Sequence, residues 1–257
     1  MILPGATVGV LGGGQLGRMF TLQANAMGYR VVVLDPDPNS PAGAVAYHHL
    51  RAPYDDEQAL AELARRCAAV TTEFENVPAA ALARLASTSI VRPPIEAVAT
   101  AQDRIAEKSY FQQCGLATAA FRPVNTRHDL AAAVAVVPFP AILKTSRFGY
   151  DGKGQAVVHN EREAAAAFER FNRAPCILEE RVRLERELSV ILARGTDGGI
   201  ATFPVAENRH EKGILETSLV PARISDQLAA EARNVASAIA EGMKYVGVLG
   251  VELFVVQ

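Results

Sequence analysis

The sequence contains no tryptophan, only three cysteines among 257 residues and little net charge, and each shortage narrows the range of functions. A net charge of −2 gives no general field to attract nucleic acid or an anionic membrane, so any bound anion must meet local basic groups. Cys67, Cys114 and Cys176 are far apart and lack metal-ligand spacing. This usage predicts reduced, buried thiols in a cytoplasmic protein.

Long apolar runs are also missing. The longest, residues 131–143, is interrupted by Pro138 and Pro140 and is too short to span a bilayer. The first residues lack the basic segment and extended apolar core of a signal peptide. With 49% apolar residues, the composition is that of a globular protein of one large or two medium domains. We therefore expect no membrane partner and no nucleic-acid partner.

The first hundred residues alternate between short apolar strands and helices, which predicts an open α/β sheet. A strand over residues 6–11 runs into Gly12-Gly13-Gly14-Gln15-Leu16-Gly17, a helix and a second strand that ends in Asp35. A glycine turn with a downstream acid is typical of a dinucleotide site. The alternative is that the glycines allow close helix–strand packing and that the helix N-terminus meets another anion, such as a substrate phosphate.

Polar residues follow the predicted fourth strand, residues 68–72. Glu73 and Asn76 stand at its carboxyl end, where open α/β sheets bind ligands, and are candidates to hydrogen-bond a substrate hydroxyl or amine. Asn76 is equally suited to cap a helix before Pro78. The alternation then breaks at residues 91–94, which predicts a domain boundary before a helix over residues 103–114.

The most distinctive stretch is a glycine-rich basic loop that follows an apolar strand ending in Lys144, which this pattern places at the edge of a sheet. It reads Thr145-Ser146-Arg147-Phe148-Gly149-Tyr150-Asp151-Gly152-Lys153-Gly154-Gln155. Its three glycines remove Cβ atoms that would keep backbone N–H groups from phosphate oxygens, and its basic residues add positive charge. Lys153 is followed by glycine rather than Ser or Thr, so a flap over phosphates fits better than a P-loop. An ordinary glycine-rich hairpin with solvated lysines is the alternative.

Acids stand at the ends of apolar strands, or inside them, in the second half of the chain. Glu179 and Glu180 close a strand and Glu187 begins the next one, either as solvated strand ends or as acceptors for an adenine amine and ribose hydroxyls. Glu252 interrupts an apolar strand, where a buried carboxylate needs a bound cation such as Mg²⁺ or an ion pair with Arg or Lys. His210 lies in a predicted charged turn over residues 207–211 and is expected to be exposed.

In this order, the segments resemble the ATP-grasp carboxylate–amine ligases. The resemblance is strongest to the 5-(carboxyamino)imidazole ribonucleotide synthases, the ATPase subunits of phosphoribosylaminoimidazole carboxylase. The matching stretches are residues 12–19, 72–78, 103–108, 149–155, 207–215 and 247–255. The family implies an open α/β domain over residues 1–101, a connecting helix and small α+β flap lobe over 102–180, and a larger antiparallel α+β lobe over 181–257. The family's second metal-binding segment would lie beyond Gln257, so a truncated chain is expected.

The resemblance implies an enzyme of de novo purine biosynthesis that uses ATP and bicarbonate to carboxylate 5-aminoimidazole ribonucleotide. Bicarbonate would attack the γ-phosphate to form carboxyphosphate, which delivers carbon dioxide or its equivalent to the amine, and the protein would mainly position groups and neutralise charge. ATP and Mg²⁺ are the implied cofactors, and a homodimer is expected. The alternatives are another ATP-grasp ligase, such as a formate-dependent glycinamide ribonucleotide transformylase, and a non-catalytic or NAD-binding module.

Carried over residue by residue, the resemblance also implies the site residues. Those at ATP would be Arg104, Lys144, Gly149, Tyr150, Asp151, Gly152, Lys153, Gly154 and Gln155 around the phosphates, Glu179, Glu180, Arg181 and Val182 around adenine, Glu187 at the ribose and His210 nearby. Those at the ribonucleotide would be Gln15, Leu16, Asp35, Glu73 and Asn76. Tyr150, Asp151 and Lys153 would act at the reacting groups, and Glu252 would be a magnesium ligand.

Overall fold

The computed structural model describes residues 1–74, 76–149, 153–211 and 214–256. The chain forms two compact units, Met1–Ala99 and Thr100–Gln257. The expected subdivision of the second unit at residue 180 stays a prediction. In the described residues, no helix combines the length and the apolar character needed to cross a membrane.

The first unit is an open α/β sheet, as the alternation of strands and helices predicts. Its elements are β1 (Thr7–Leu11), α1 (Gln15–Ala26), β2 (Arg30–Leu34), β3 (His48–Leu50), α2 (Glu57–Arg66), β4 (Ala69–Thr72), α3 (Ala79–Ala86) and α4 (Ile95–Ala101). The strands are all parallel in the order β3-β2-β1-β4. The carboxyl ends of β1 and β4 therefore lie side by side at one edge, where the glycine turn and Glu73 follow them.

Local sequence signals explain how the helices of this unit begin and pack. Asp56 caps α2 by accepting from the Ala59 N–H at 2.8 Å, and the helix ends on two arginines that suit its negative pole. Leu63 on α2 and Leu82 on α3 are fully buried in the core against the sheet. Helix α3 has Pro78 at its N-cap position rather than Asn76.

The second unit contains two antiparallel sheets. Its elements are α5 (Arg104–Gln113), β5 (Phe121–Val124), α6 (Arg127–Val134), β6 (Ala141–Thr145), β7 (Gln155–Val158), α7 (Glu161–Arg170), β8 (Cys176–Glu180), β9 (Leu184–Arg194), β10 (Ile200–Thr202), β11 (Ala206–Glu211), β12 (Ile214–Leu219), α8 (Asp226–Gly242) and β13 (Gly247–Val256). One sheet has the order β5-β8-β6-β7, and the other has the order β10-β9-β11-β12 with β13 paired to β9. Leu143, Phe168 and Leu178 fill the core between the first of these sheets and its helices.

Two sequence-based expectations about this unit are wrong. Residues 207–211 are not a turn but part of β11, which pairs with β9 on one side and β12 on the other. This pairing satisfies the backbone hydrogen-bonding groups of the segment. The strand was not predicted because the segment is charged and has no alternation of apolar and polar residues. The expected position of Lys144 at a sheet edge is also wrong. Strand β6 is flanked on both sides, so that Lys144 pairs with Gln155 of β7 and Ile177 of β8.

Candidate functional site

In the first unit, two carboxylates accept hydrogen bonds from backbone N–H groups of the glycine turn. The Gly13 N–H donates to Asp35 Oδ2 and the Gly14 N–H donates to Glu73 Oε1, each at 2.7 Å. A Cβ atom on Gly13 would lie 2.0 Å from Ser40 Oγ, and one on Gly17 would lie 2.7 Å from the Gly12 carbonyl oxygen. These glycines therefore serve close packing, and the paired donors argue against the backbone–pyrophosphate contacts of an NAD site.

Asp35 uses both carboxylate oxygens to hold this turn. Oδ2 also accepts from the Tyr54 hydroxyl at 2.7 Å, while Oδ1 accepts from the Asp37 N–H at 2.8 Å, and the residue is only 8% exposed. Burial, followed by the hydrogen bond to Asp35, raises the pKa of Tyr54 well above its ordinary value. The predicted contact between Asp35 and a substrate stays a prediction, but a substrate would compete with three protein donors.

The other residues predicted on the ribonucleotide side differ in exposure. Gln15 and Leu16 open helix α1 and are exposed, Leu16 by 64%. Glu73 is half-buried beside the same turn, since a Cβ on Gly12 would lie 3.0 Å from its Oε1. The structure thus gathers Gln15, Leu16 and Glu73 at one glycine turn, whereas Asn76 follows further along the loop after β4.

In the second unit, a buried carboxylate meets two lysines. Glu179 on β8 is 5% exposed, and its Oε2 accepts from Lys144 Nζ of β6 at 2.9 Å. Lys108 Nζ of α5 lies 3.4 Å from the same oxygen. The interpretation of Glu179 as a solvated strand end is therefore wrong, because β8 lies between β5 and β6 and the Glu179 side chain is buried.

The first turn of α5 is fastened to the base of the glycine loop. The Arg104 N–H donates to the Ser146 carbonyl and Arg104 Nη2 donates to the Gly149 carbonyl, both at 2.9 Å. Asp103 caps the helix by accepting from the Ile105 N–H at 3.0 Å, and it also pairs with Arg147 Nε at 3.2 Å. Arg104 is thus held where the loop begins, and its predicted contact with phosphates stays a prediction.

The far side of the loop depends on glycine. Gly154 has φ +70°, and a Cβ there would lie 2.6 Å from Thr145 Oγ1, while its carbonyl accepts from the Thr145 N–H at 2.8 Å. Lys153 and Gln155 are exposed beside it. The predicted flap residues Tyr150, Asp151 and Gly152 lie outside the described residues, so their roles stay predictions.

Residues 180–187 connect the two sheets and carry the predicted adenine and ribose contacts. The Glu180 N–H donates to the Ala120 carbonyl at 2.8 Å, and the Arg181 N–H donates to the Pro140 carbonyl at 3.1 Å. Val182 is half-buried. Glu187 Oε2 is hydrogen-bonded to His210 Nδ1 of β11. His210 therefore lies in a strand rather than in the predicted turn, but it is exposed, as expected. Its partner Glu187 is the residue predicted at the ribose.

The burial argument for Glu252 is wrong, although its predicted role as a ligand is not tested. Glu252 is exposed, as are Gly250 and Phe254, because alternate residues of β13 share the open face of the sheet. Glu252 is opposite Ser189 of β9, and Phe254 is opposite Glu187. This register makes Glu252 and Glu187 diagonal neighbours on one face of the sheet, about 7–8 Å apart.

An exposed carboxylate on this face suits Mg²⁺, which takes one or two protein carboxylates together with phosphate oxygens and water. Among the described residues, no group of three or more His, Cys, Asp or Glu side chains is arranged to hold a metal ion by itself. The donor set therefore fits a cation that is bound together with a phosphorylated ligand.

Glu107 of α5 is a further titratable residue near this site, and the sequence analysis did not identify it. Burial raises the pKa of its carboxyl, Arg104 and Lys108 oppose the rise, and the negative charges of Glu179 and Glu252 add to it. Glu179 and Glu252 thus both act on one carboxyl group. The available sequence signal is the spacing of Arg104, Glu107 and Lys108, which places them on one face of a helix.

Comparison with known proteins matches both units of the chain. Residues 109–257 match an ATP-grasp domain, and residues 5–102 match a ribonucleotide synthetase preATP-grasp domain. The N5-carboxyaminoimidazole ribonucleotide synthase of Brucella melitensis is 47% identical over 256 residues, which are 99% of this chain and 71% of that relative.

Solved structures give the same result. A crystal structure of the ADP complex of an N5-carboxyaminoimidazole ribonucleotide synthetase matches with a TM-score of 0.95 at 42% identity, covering 100% of this chain and 68% of that one. The N5-carboxyaminoimidazole synthase of Aspergillus clavatus, in complex with ADP and 5-aminoimidazole ribonucleotide, matches with a TM-score of 0.88 at 31% identity. That match covers 98% of this chain and 66% of the other.

Proposed function

Since the chain belongs to the ATP-grasp family, and within it to the N5-carboxyaminoimidazole ribonucleotide synthases, we propose that it uses ATP and bicarbonate to carboxylate 5-aminoimidazole ribonucleotide. It is an ATP-grasp ligase of purine biosynthesis that binds ATP. The observation that carries the proposal is the agreement between the family matches over both units and the basic groups gathered at the base of the glycine loop.

At the nucleotide, we propose that Arg104 and Lys144 neutralise the phosphates while the glycine loop covers them. The Arg104 side chain is already ordered by its hydrogen bond to the Gly149 carbonyl, whereas Lys144 would turn from Glu179 towards a phosphate when ATP binds. Glu252 would hold Mg²⁺, with Glu187 on the neighbouring strand directed to the ribose. The ion would neutralise charge on the phosphates during transfer to bicarbonate.

For the second substrate, we propose that Glu73, Gln15 and Leu16 bind the ribonucleotide. The exposed first turn of α1 offers an amide side chain and backbone donors, and Glu73 offers a carboxylate for an amine or hydroxyl. The carboxylation would then follow from carboxyphosphate formed at the γ-phosphate. Homodimeric assembly and a cytoplasmic location also remain proposals, the former tested by light scattering of the purified chain.

The test is ADP release by the purified chain. We expect release that requires 5-aminoimidazole ribonucleotide and bicarbonate together with Mg²⁺, and formation of the carbamate detected by mass spectrometry. Lys144→Met should lower the apparent ATP affinity at least tenfold, whereas Arg162→Met, at an exposed position of α7, should not change it. ADP release that depends on formate and glycinamide ribonucleotide, and not on bicarbonate, would overturn the proposal in favour of the transformylase reaction.

A further inference from the structure

Lys108 of α5 forms an ion pair with the same carboxylate that binds Lys144. Its ammonium lies 3.4 Å from Glu179 Oε2, the oxygen that also accepts from Lys144 Nζ at 2.9 Å. The side chains of Lys108 and Lys144 are each 19% exposed, and that of Glu179 is 6% exposed. One buried carboxylate therefore has two cations, and the three groups together carry one positive charge.

Lys108 is held independently of Lys144. Besides Glu179, its ammonium lies over the Phe121 ring, 5.7 Å from the centroid. Phe121 of β5 is directly opposite Glu179 in the pairing of β5 with β8. Lys108 thus reaches two neighbouring residues of one sheet from outside it, whereas Lys144 reaches Glu179 from β6 on the other side of β8.

The second cation beside Glu179 matters when ATP binds, because Lys144 would then turn away from this carboxylate. A Lys144 ammonium that turns towards a phosphate weakens its contact with Glu179. A buried carboxylate that loses its cation is strongly destabilised, because neither water nor another charge replaces the lost partner. A second cation that stays in place removes this cost, since Glu179 then still forms a neutral pair.

We propose that Lys108 is the resident counter-ion of Glu179 and so frees Lys144 to bind the phosphates of ATP. The inference rests on the proposed function, because it takes Lys144 as a phosphate ligand. Lys108 is in this view a positioning residue: it acts through Glu179 and does not contact the nucleotide.

A double-mutant cycle tests the proposal, with the Kd for ATP in Mg²⁺ measured by titration calorimetry. Lys108→Met should raise the Kd about tenfold, since Lys144 alone must then neutralise Glu179. Lys108→Arg should bind within about threefold of the wild type because the charge is kept. In the Glu179→Gln background, Lys108→Met should change the Kd by less than about twofold, because the carboxylate that Lys108 serves is gone. Arg162→Met is the matched control for loss of a basic group.

The outcomes separate the inference from the function on which it rests. A wild-type chain that does not bind ATP overturns both. If Lys108→Met lowers the ATP affinity tenfold both in the wild type and in Glu179→Gln, or in neither, only the inference is overturned. Should Lys108→Met fail to fold, as judged by far-UV ellipticity, a crystal structure of the wild type with a non-hydrolysable ATP analogue decides. Lys108 within 3.5 Å of Glu179 and Lys144 on a phosphate supports the inference, and the reverse arrangement overturns it.

Discussion

Replacing Asp35 with asparagine tests whether this carboxylate holds the glycine turn of the first unit. Its Oδ2 accepts from the Gly13 N–H and the Tyr54 hydroxyl at 2.7 Å each, and its Oδ1 accepts from the Asp37 N–H at 2.8 Å. Asparagine keeps the shape of the side chain but has one acceptor oxygen and one NH₂ group. Whichever way the amide is turned, at least one donor then faces another donor.

The expected loss follows from these contacts. In the better orientation, the amide oxygen replaces Oδ2, so two hydrogen bonds survive as neutral bonds and the bond from Asp37 is lost. Hydrogen bonds to a charged group contribute about 1.5–3 kcal/mol each and neutral ones about 1 kcal/mol. The two surviving bonds thus weaken by about 1 kcal/mol each and the third is lost at about 2 kcal/mol. Because the Tyr54 hydroxyl can turn to water, the weakening of its bond should cost little, and the other two terms lower the free energy of unfolding by about 3 kcal/mol.

Urea unfolding followed by far-UV ellipticity measures this loss, since the chain has no tryptophan to report by fluorescence. The control is Asp37→Asn, because Asp37 is exposed and its Oδ1 accepts from the Asn39 N–H at 2.8 Å. The control should change the free energy of unfolding by no more than about 0.5 kcal/mol. If Asp35→Asn lowers the free energy of unfolding by less than about 1 kcal/mol, or by as much as the control does, Asp35 does not stabilise the glycine turn. That result would favour a carboxylate that is available to substrate.

Two further predictions concern titratable groups. Because burial raises the pKa of Glu107 above its ordinary value of 4.5, the folded chain holds this proton more tightly than the unfolded chain, and stability should fall as the pH rises through the raised pKa. Glu107→Gln, in EDTA, should therefore gain melting temperature relative to the wild type as the pH rises above 4.5; an unchanged or opposite difference would contradict this. Burial also raises the pKa of the Cys67 thiol to about 12 and that of Cys176 to about 11. At about pH 8, iodoacetamide should label half-buried Cys114 well before either, as read by peptide mass spectrometry, and simultaneous labelling would show that the two thiols are accessible.

Most elements of the fold could be predicted from local sequence, because the spacing of the apolar residues and the positions of the capping residues agree with how the elements pack in the structure. The helix predicted over residues 103–114 is α5, and Asp103 caps it as a short acidic side chain should. The predicted strand over residues 68–72 is β4. The family was also predictable, since an ordered series of short motifs carries more information than any single glycine turn.

Burial and pairing were not predictable in the same way, because they depend on which strands become neighbours. Glu252 and Glu179 both stand in or at the end of an apolar strand, yet β13 leaves Glu252 on an open face while β5 and β6 flank the strand that carries Glu179. Strand β11 has no apolar alternation and forms because β9 and β12 satisfy its backbone. The sequence by itself thus determined the helices, most strands and the family. Only the tertiary structure decided which carboxylates meet cations and which face solvent, since a charge is stabilised by what surrounds it in space rather than by its neighbours along the chain.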